Sequence, residues 1–374
     1  MDFDIGADRQ MLSDSLRRLI AERYRPGLHS SPAYSGPDYS LGIWRELASL
    51  GAVAALFPES FGGLGGDGAD IAVVFEELGR GLVMEPFLPA LVAGQTFALA
   101  GSHTDLIRST VEGMTLPTFA YYEPNGRYLL SEVSARAVHT ANGWRITGSK
   151  AVVPYLSSAS HILVSARTAG ASGDSSGVTL FLVAPDADGL SRRHYALVDG
   201  GRAGELALDG TPGALIGPEA AALPMIEQAV ASGVVALCWE AVGVMEHLKA
   251  ATIEHLRTRN QFGGPIGRFQ ALRHRLVTLA IEIEQARSAA ILGAAALEGP
   301  PEERERTVSA AKLTIGRVGT LIAEESIQMH GGMGMVWELP VSHYAKRLIM
   351  IGHELGDEDY HLVRYIELRS GFAA

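Results

Sequence analysis

From residue 223 the chain reads LPMIEQAVASGVVALCWEAVGVMEHLKAATIEHLRTRNQ, with apolar residues at helical spacing and no proline after its second position. That is one helix several times longer than the ~11-residue average. Two more long apolar helices follow, ALRHRLVTLAIEIEQARSAAILGAAALEG and RERTVSAAKLTIGRVGTLIAEESIQMHGG. LPVSHYAKRLIMIGHELG and DEDYHLVRYIELRS close the chain. Long helices this apolar must cover one another, which predicts a four-helix bundle from residue 218 to 374.

Two other regions precede it. Residues 1–116 also read as helices, in LSDSLRRLIAER, YSLGIWRELASLGAVAAL and, after the turn FGGLGGDG, ADIAVVFEELGRGL. Residues 117–217 change character. GWRITGSKAVV, ASHILVSARTAG, GVTLFLVAP and GELALDG are short β-rich runs between turns, and they predict a small antiparallel barrel or sandwich. The fold class is therefore α+β: an N-terminal helical domain, a middle β domain and a C-terminal helical bundle.

The net charge of -11 disfavours a general surface for nucleic acid or anionic membrane. One cysteine, Cys238, excludes an intrachain disulfide and suits a reducing, cytoplasmic setting. The twelve histidines are scattered and predict no metal site. The N-terminus lacks the basic and apolar regions of a signal peptide. No apolar run is expected to reach the ~18 residues of a membrane span.

RTRNQFGGPIGRFQ (257–270) breaks two helices at a glycine pair, and QMHGGMGM (328–335) ends the third. A loop needs the glycines, but it does not need Arg259, Phe262 and Gln270. Arg259 has two readings, a phosphate-binding guanidinium or an arginine interacting with a helix C-terminus. HGGMG is either a site of close backbone approach or a helix–helix turn. Neither FGGLGGDG nor HGGMGM lies between a strand and a helix, so neither is a dinucleotide fingerprint. No Gly-x-Ser-x-Gly elbow follows a strand.

These two motifs, with FPESFGGLGGDGADIAVVFEELGR (57–80) and the order of the three regions, resemble the acyl-CoA dehydrogenase family over essentially the whole chain. EAVGVMEHL, QFGGPIGRFQALRH and HYAKRLIMIGHELGDEDYHL look most like the pimeloyl-CoA dehydrogenase small-subunit group. The resemblance implies FAD in a cleft between subunits, an acyl-CoA substrate and transfer of electrons to an electron-transfer flavoprotein. It implies that Arg259 contacts the pyrophosphate and that Phe262 packs on the cofactor. Gln270 and Gln328 would hydrogen-bond the nucleotide end, where the backbone at Gly331, Gly332 and Gly334 would come close.

The same resemblance exposes departures. The reaction needs a carboxylate base beside the flavin. Where many relatives carry Glu-Gly-Thr, this chain has Leu355, Gly356 and Asp357. Glu354 is adjacent, but one residue turns a helical side chain by about 100°. Other relatives place the base 26 residues before the motif arginine, which here is Gly233. Glu240 lies nearly two turns further along the same face, in an apolar run. Three roles stay open for it: the catalytic base, a contact to a polar acyl tail, or a paired helix–helix glutamate. Of the flavin-ring motifs only Glu123 and Pro124 remain, and Val152 and Pro154 stand where the family has tryptophan and threonine. The pattern suggests one subunit of a heterotetramer with a second, intact dehydrogenase-like chain; otherwise a homodimer or homotetramer would rely on Glu240. The rival reading is a non-catalytic subunit that completes a partner's FAD cleft, and a third is another flavin chemistry such as an oxidase.

Overall fold

The computed structural model describes residues 6–24 and 37–370. They form two compact units. One comprises Glu85–Gly233 and the described segment that ends at Gly66. The other comprises the N-terminal helix, Asp67–Met84 and the chain from Val234 onward.

The first unit holds α2 (Leu41–Ser49), α4 (Phe87–Leu99) and α5 (Thr104–Val111) beside seven strands. These are β1 (Pro117–Ala120), β2 (Arg136–Thr140), β3 (Gly143–Pro154), β4 (His161–Arg167), β5 (Val178–Val183), β6 (Leu190–Ala196) and β7 (Arg202–Ile216). The pairs β4–β2, β2–β3, β3–β7, β7–β5 and β5–β4 close a ring, so the sheet is a small barrel. β4 and β5 are buried almost along their whole length, and β5 is apolar but for Thr179. Ile146, Ile162, Val164, Phe181 and Leu206 fill the core. The expectation of a purely antiparallel sheet needs correcting: β1 runs parallel to β4 from Pro117↔His161 to Ala120↔Val164. A parallel pair needs a long connection, and here the β2–β3 hairpin provides it in place of a helix.

The second unit holds α1 (Ala7–Arg23), α3 (Gly68–Gly81), most of α6 (Leu223–Thr258), α7 (Gln270–Ala295), α8 (Pro301–His330), α9 (Val341–His353) and α10 (Glu358–Ser370). Asp67 caps α3 in a reciprocal box with Asp70, and Arg9 pairs with both at 2.7 Å. α6 corrects one sequence expectation. Its 36 residues are long and apolar enough for a membrane span, but almost all of the apolar stretch is buried inside the protein. It is the core helix of the bundle.

α3 and α6 cross backbone to backbone. A Cβ on Gly79 would run into the carbonyl oxygen of Glu240, and one on Gly243 into that of Glu76. Gly243→Ala is therefore expected to destabilise the chain by about 1–3 kcal/mol through forced helix separation. Gly352→Ala, whose methyl meets nothing within 4 Å, should not. Thermal melts of both variants compare them; equal melting temperatures would refute the close crossing.

Candidate functional site

The turns after α6 and α8 are brought together by two histidines. The rings of His255 and His330 stack with centroids 4.4 Å apart, and His330 Nδ1 lies 2.8 Å from the Ser326 carbonyl. Burial, then His330 and Arg259, lower the pKa of His255, so the stack favours a neutral His255 ring. Arg275 pairs with Glu325 at 2.5 Å and ties the start of α7 to the end of α8.

Beyond Thr258 the chain makes a minimal hairpin, Asn260–Gln261 against Gly264–Pro265. Its two turn residues, Phe262 and Gly263, both have left-handed backbone, with φ of 54° and 83°. That is a common hairpin geometry, but a phenylalanine is strained there. Arg268 holds it by donating to the carbonyls of Phe262 and Gly263. The result is an aromatic ring that is 80% exposed.

Arg259, Gln270 and Gln328 are exposed, and their side chains engage no acceptor or donor among the described residues. Gly331 has φ 62°, and an added Cβ at Gly331 or Gly332 would meet only open space. Gly334 differs. It is buried, and a side chain there would crowd Ile327 and His330, so its missing Cβ has an internal explanation. Arg268 and the two stacking histidines were missed by the sequence reading; the i, i+4 placement of His255 before Arg259 was the available signal.

The stretch matching the family's base is fixed by buried groups. Leu355 is buried with φ 56°, and its carbonyl lies 3.0 Å from His361 Nε2. Lys312 Nζ donates to the Gly356 carbonyl at 2.7 Å. Burial brings the Lys312 ammonium down to about 8, and raises the nearby Cys238 thiol to about 12. Glu240 accepts from Arg347 Nε at 2.5 Å and Nη2 at 2.8 Å, while Arg347 Nη1 reaches Glu354 at 2.6 Å. Both oxygens of Glu240 are thus held by one guanidinium. Glu240 is thus paired across two helices, which is one of the three roles open to it from sequence.

In the barrel unit, Val152 lies at a bulge between Lys150 and Val153, with φ 51°. The Pro154 carbonyl accepts the Thr118 hydroxyl at 2.7 Å. Neither Val152 nor Pro154 has a side-chain hydrogen-bonding group. Glu123 accepts from the amides of Ser134 and Ala135 and pairs with Lys150 Nζ at 2.8 Å. Burial lowers the Lys150 pKa to about 8. Glu123, a survivor of the ring motifs, is therefore joined to the buried Lys150 in an internal knot. Among the described residues no three His, Cys, Asp or Glu side chains are placed to hold a metal ion.

Comparison with known proteins accounts for this layout. Residues 6–104 match the acyl-CoA dehydrogenase N-terminal domain, and residues 223–362 match the acyl-CoA dehydrogenase C-terminal domain. Acyl-CoA dehydrogenase IpdE2 of Mycobacterium tuberculosis is 30% identical over 91% of this chain and 90% of its own. A variant of the Tcur3481–Tcur3483 steroid ACAD superposes with TM-score 0.86 at 30% identity, covering 99% of each chain. The ChsE4–ChsE5 complex of Mycobacterium tuberculosis superposes with TM-score 0.87 at 26% identity, covering 100% of each. The chain belongs to the acyl-CoA dehydrogenase family.

Proposed function

We propose that this chain is one subunit of a heteromeric, flavin-dependent acyl-CoA dehydrogenase. In this reading it contributes the nucleotide-end contacts to FAD, and an unlike partner chain contributes the flavin-ring contacts and the base. The observation that carries the proposal is the state of the base position. Leu355 occupies it, and the neighbouring carboxylates Glu240 and Glu354 are both held by Arg347. The names of two similar structures, each a pair of unlike chains, support it.

The residues suit one end of FAD and not the other. The unpaired guanidinium of Arg259 can take a phosphate in two-point fashion. Phe262 offers an exposed ring held in place by Arg268. Gln270 and Gln328 present free amides, and Gly331 and Gly332 admit a close backbone. The side chains of Val152 and Pro154 in the barrel unit, and that of Leu355 in the helical unit, carry no hydrogen-bonding group for a flavin ring. The chemistry FAD supplies when bound is acceptance of the hydride from the acyl β carbon, for delivery to an electron-transfer flavoprotein. The acyl group belongs to the fatty, dicarboxylic or steroid side-chain class, and the name of the 30%-identical steroid structure favours the last.

The test is flavin content and mass of the chain purified alone and co-expressed with an unlike dehydrogenase chain. Alone it should be nearly colourless, and the mixed tetramer should hold about half a flavin per chain. Arg259→Gln should weaken FAD binding to the mixed assembly about tenfold or more, for the loss of about 1.5–3 kcal/mol of charged hydrogen bonding. Unchanged flavin affinity in that variant would leave the chain a purely structural subunit. Full flavin occupancy and activity without a partner would refute the heteromeric reading outright.

A further inference from the structure

His255 lies in the last turn of α6, four residues before Arg259, and the Arg259 amide donates to its carbonyl at 2.9 Å. Its half-buried ring stacks at 28° on the buried ring of His330, which closes α8. His330 is anchored in turn, with Nδ1 2.8 Å from the Ser326 carbonyl. Burial is the largest influence against a charge on the His255 ring. His330 from α8 and Arg259 from the end of α6 add to it. Among the described residues no other titratable group of α7, α8 or the Asn260–Pro265 hairpin acts on this ring. The free carbonyls at the end of α6 work the other way and favour a cation there. The ring is thus held neutral by a neighbour that is itself the candidate phosphate contact.

We infer that binding of the FAD pyrophosphate at Arg259 is coupled to uptake of one proton from solvent by His255, so that FAD is held more tightly as pH falls through the neutral range. The inference rests on the nucleotide-end role proposed above for Arg259. Histidine is the side chain whose charge changes nearest neutrality. Residues four apart on a helix lie about 6 Å apart, well inside the ~8–10 Å over which salt screens a charge. A doubly negative pyrophosphate on Arg259 outweighs the single positive charge there. The field at His255 therefore reverses, from opposing a proton to favouring one. The half-exposed side of the ring lets the proton arrive from water, and the stack on His330 keeps the ring where the reversed field acts on it. The pyrophosphate stays fully ionised throughout this range, so the proton goes to the protein. The sign follows from linkage. A ligand that raises the pKa of a group binds more tightly below that raised pKa, and the gain is lost as pH rises through it.

The test is a titration of the flavin-free mixed assembly with FAD, followed by flavin fluorescence at about pH 6 and about pH 8. Calorimetry at pH 7 in two buffers of different ionisation heat counts the protons taken up. The wild type should bind about fivefold or more tightly at the lower pH and take up a fraction of a proton. His255→Gln should still bind FAD, but with neither the slope nor the uptake. His255→Phe keeps a ring on His330 without a titrating group, and it should behave in the same way. A variant that binds more weakly by the same factor at both pH values would reduce the stack to a structural tie and overturn the coupling. So would proton uptake that persists in both variants. If wild-type affinity is independent of pH while Arg259→Gln still weakens it, the coupling falls and the role of Arg259 stands. If Arg259→Gln leaves FAD affinity unchanged, both fall.

Discussion

Between pH 6.5 and about 4 the helical unit is expected to lose several kcal/mol of stability, with His361 the largest contributor. An unfolded histidine takes its proton near 6.5. Burial, then the neighbouring Lys312 charge, holds the folded His361 pKa down to about 3, and burial and Arg80 hold that of His247 at about 4. Throughout that window the unfolded chain binds more protons, so stability falls as pH falls. The geometry explains the reluctance. His361 Nε2 is engaged with the Leu355 carbonyl, and its Nδ1 has no acceptor for a second proton. His247 lies flat on Tyr344, with ring centroids 3.7 Å apart. For His361, which is 3% exposed, the shift corresponds to a ceiling on the order of 5 kcal/mol. That is a large share of the ~5–15 kcal/mol that holds a typical fold. Urea denaturation at pH 7 and pH 4.5 measures the loss. His361→Gln retains a donor for Leu355 but cannot charge, so it should flatten the slope. A wild-type chain equally stable at both pH values, or a variant with the wild-type slope, would refute the assignment.

The same residues show what the sequence could disclose. Helical periodicity is local, so the bundle helices and the break at RTRNQFGG are readable directly. The leucine at position 355, where the resemblance leads one to expect a glutamate, is readable too, because it depends on one position. The β unit is less legible. β6, LSRRHYA, is a mostly exposed polar strand with no apolar alternation, and its place beside β7 is fixed by pairing alone. β1 joins β4 across a hairpin that no spacing announces. Side-chain partners far apart in the chain are the least legible. A glutamate in an apolar helix must have a partner or a function, but nothing in VVALCWEAVGVM names Arg347. Likewise His255 and His330 share one stack only because α6 and α8 end side by side. The candidate nucleotide-binding groups are visible in sequence as motifs, whereas the groups that hold them in place are not.

Removing Arg347 should be among the most damaging single changes in the bundle. Arg347→Met leaves Glu240 buried with no counter-charge, and breaking a buried pair in this way costs about 3–5 kcal/mol. Glu354, on the more exposed side of the same guanidinium, should matter much less: Glu354→Gln is expected to cost about 1 kcal/mol or less. Glu240→Gln keeps a hydrogen-bonding partner for Arg347 and should fall between the two. The double change Glu240→Leu/Arg347→Met should recover most of the loss, because desolvating two charges offsets much of what their attraction provides. A double-mutant cycle by chemical denaturation measures the coupling, and additive losses would refute the pair. The cycle also bears on catalysis. If Glu240 serves only to hold Arg347, Glu240→Gln in an active mixed assembly should leave kcat and its pH profile close to wild type. A fall in kcat of a hundredfold or more, in a variant that still melts near the wild-type temperature, would instead make Glu240 the proton acceptor. Arg347 would then be the group that holds and charges it, and the heteromer would not need its partner's base.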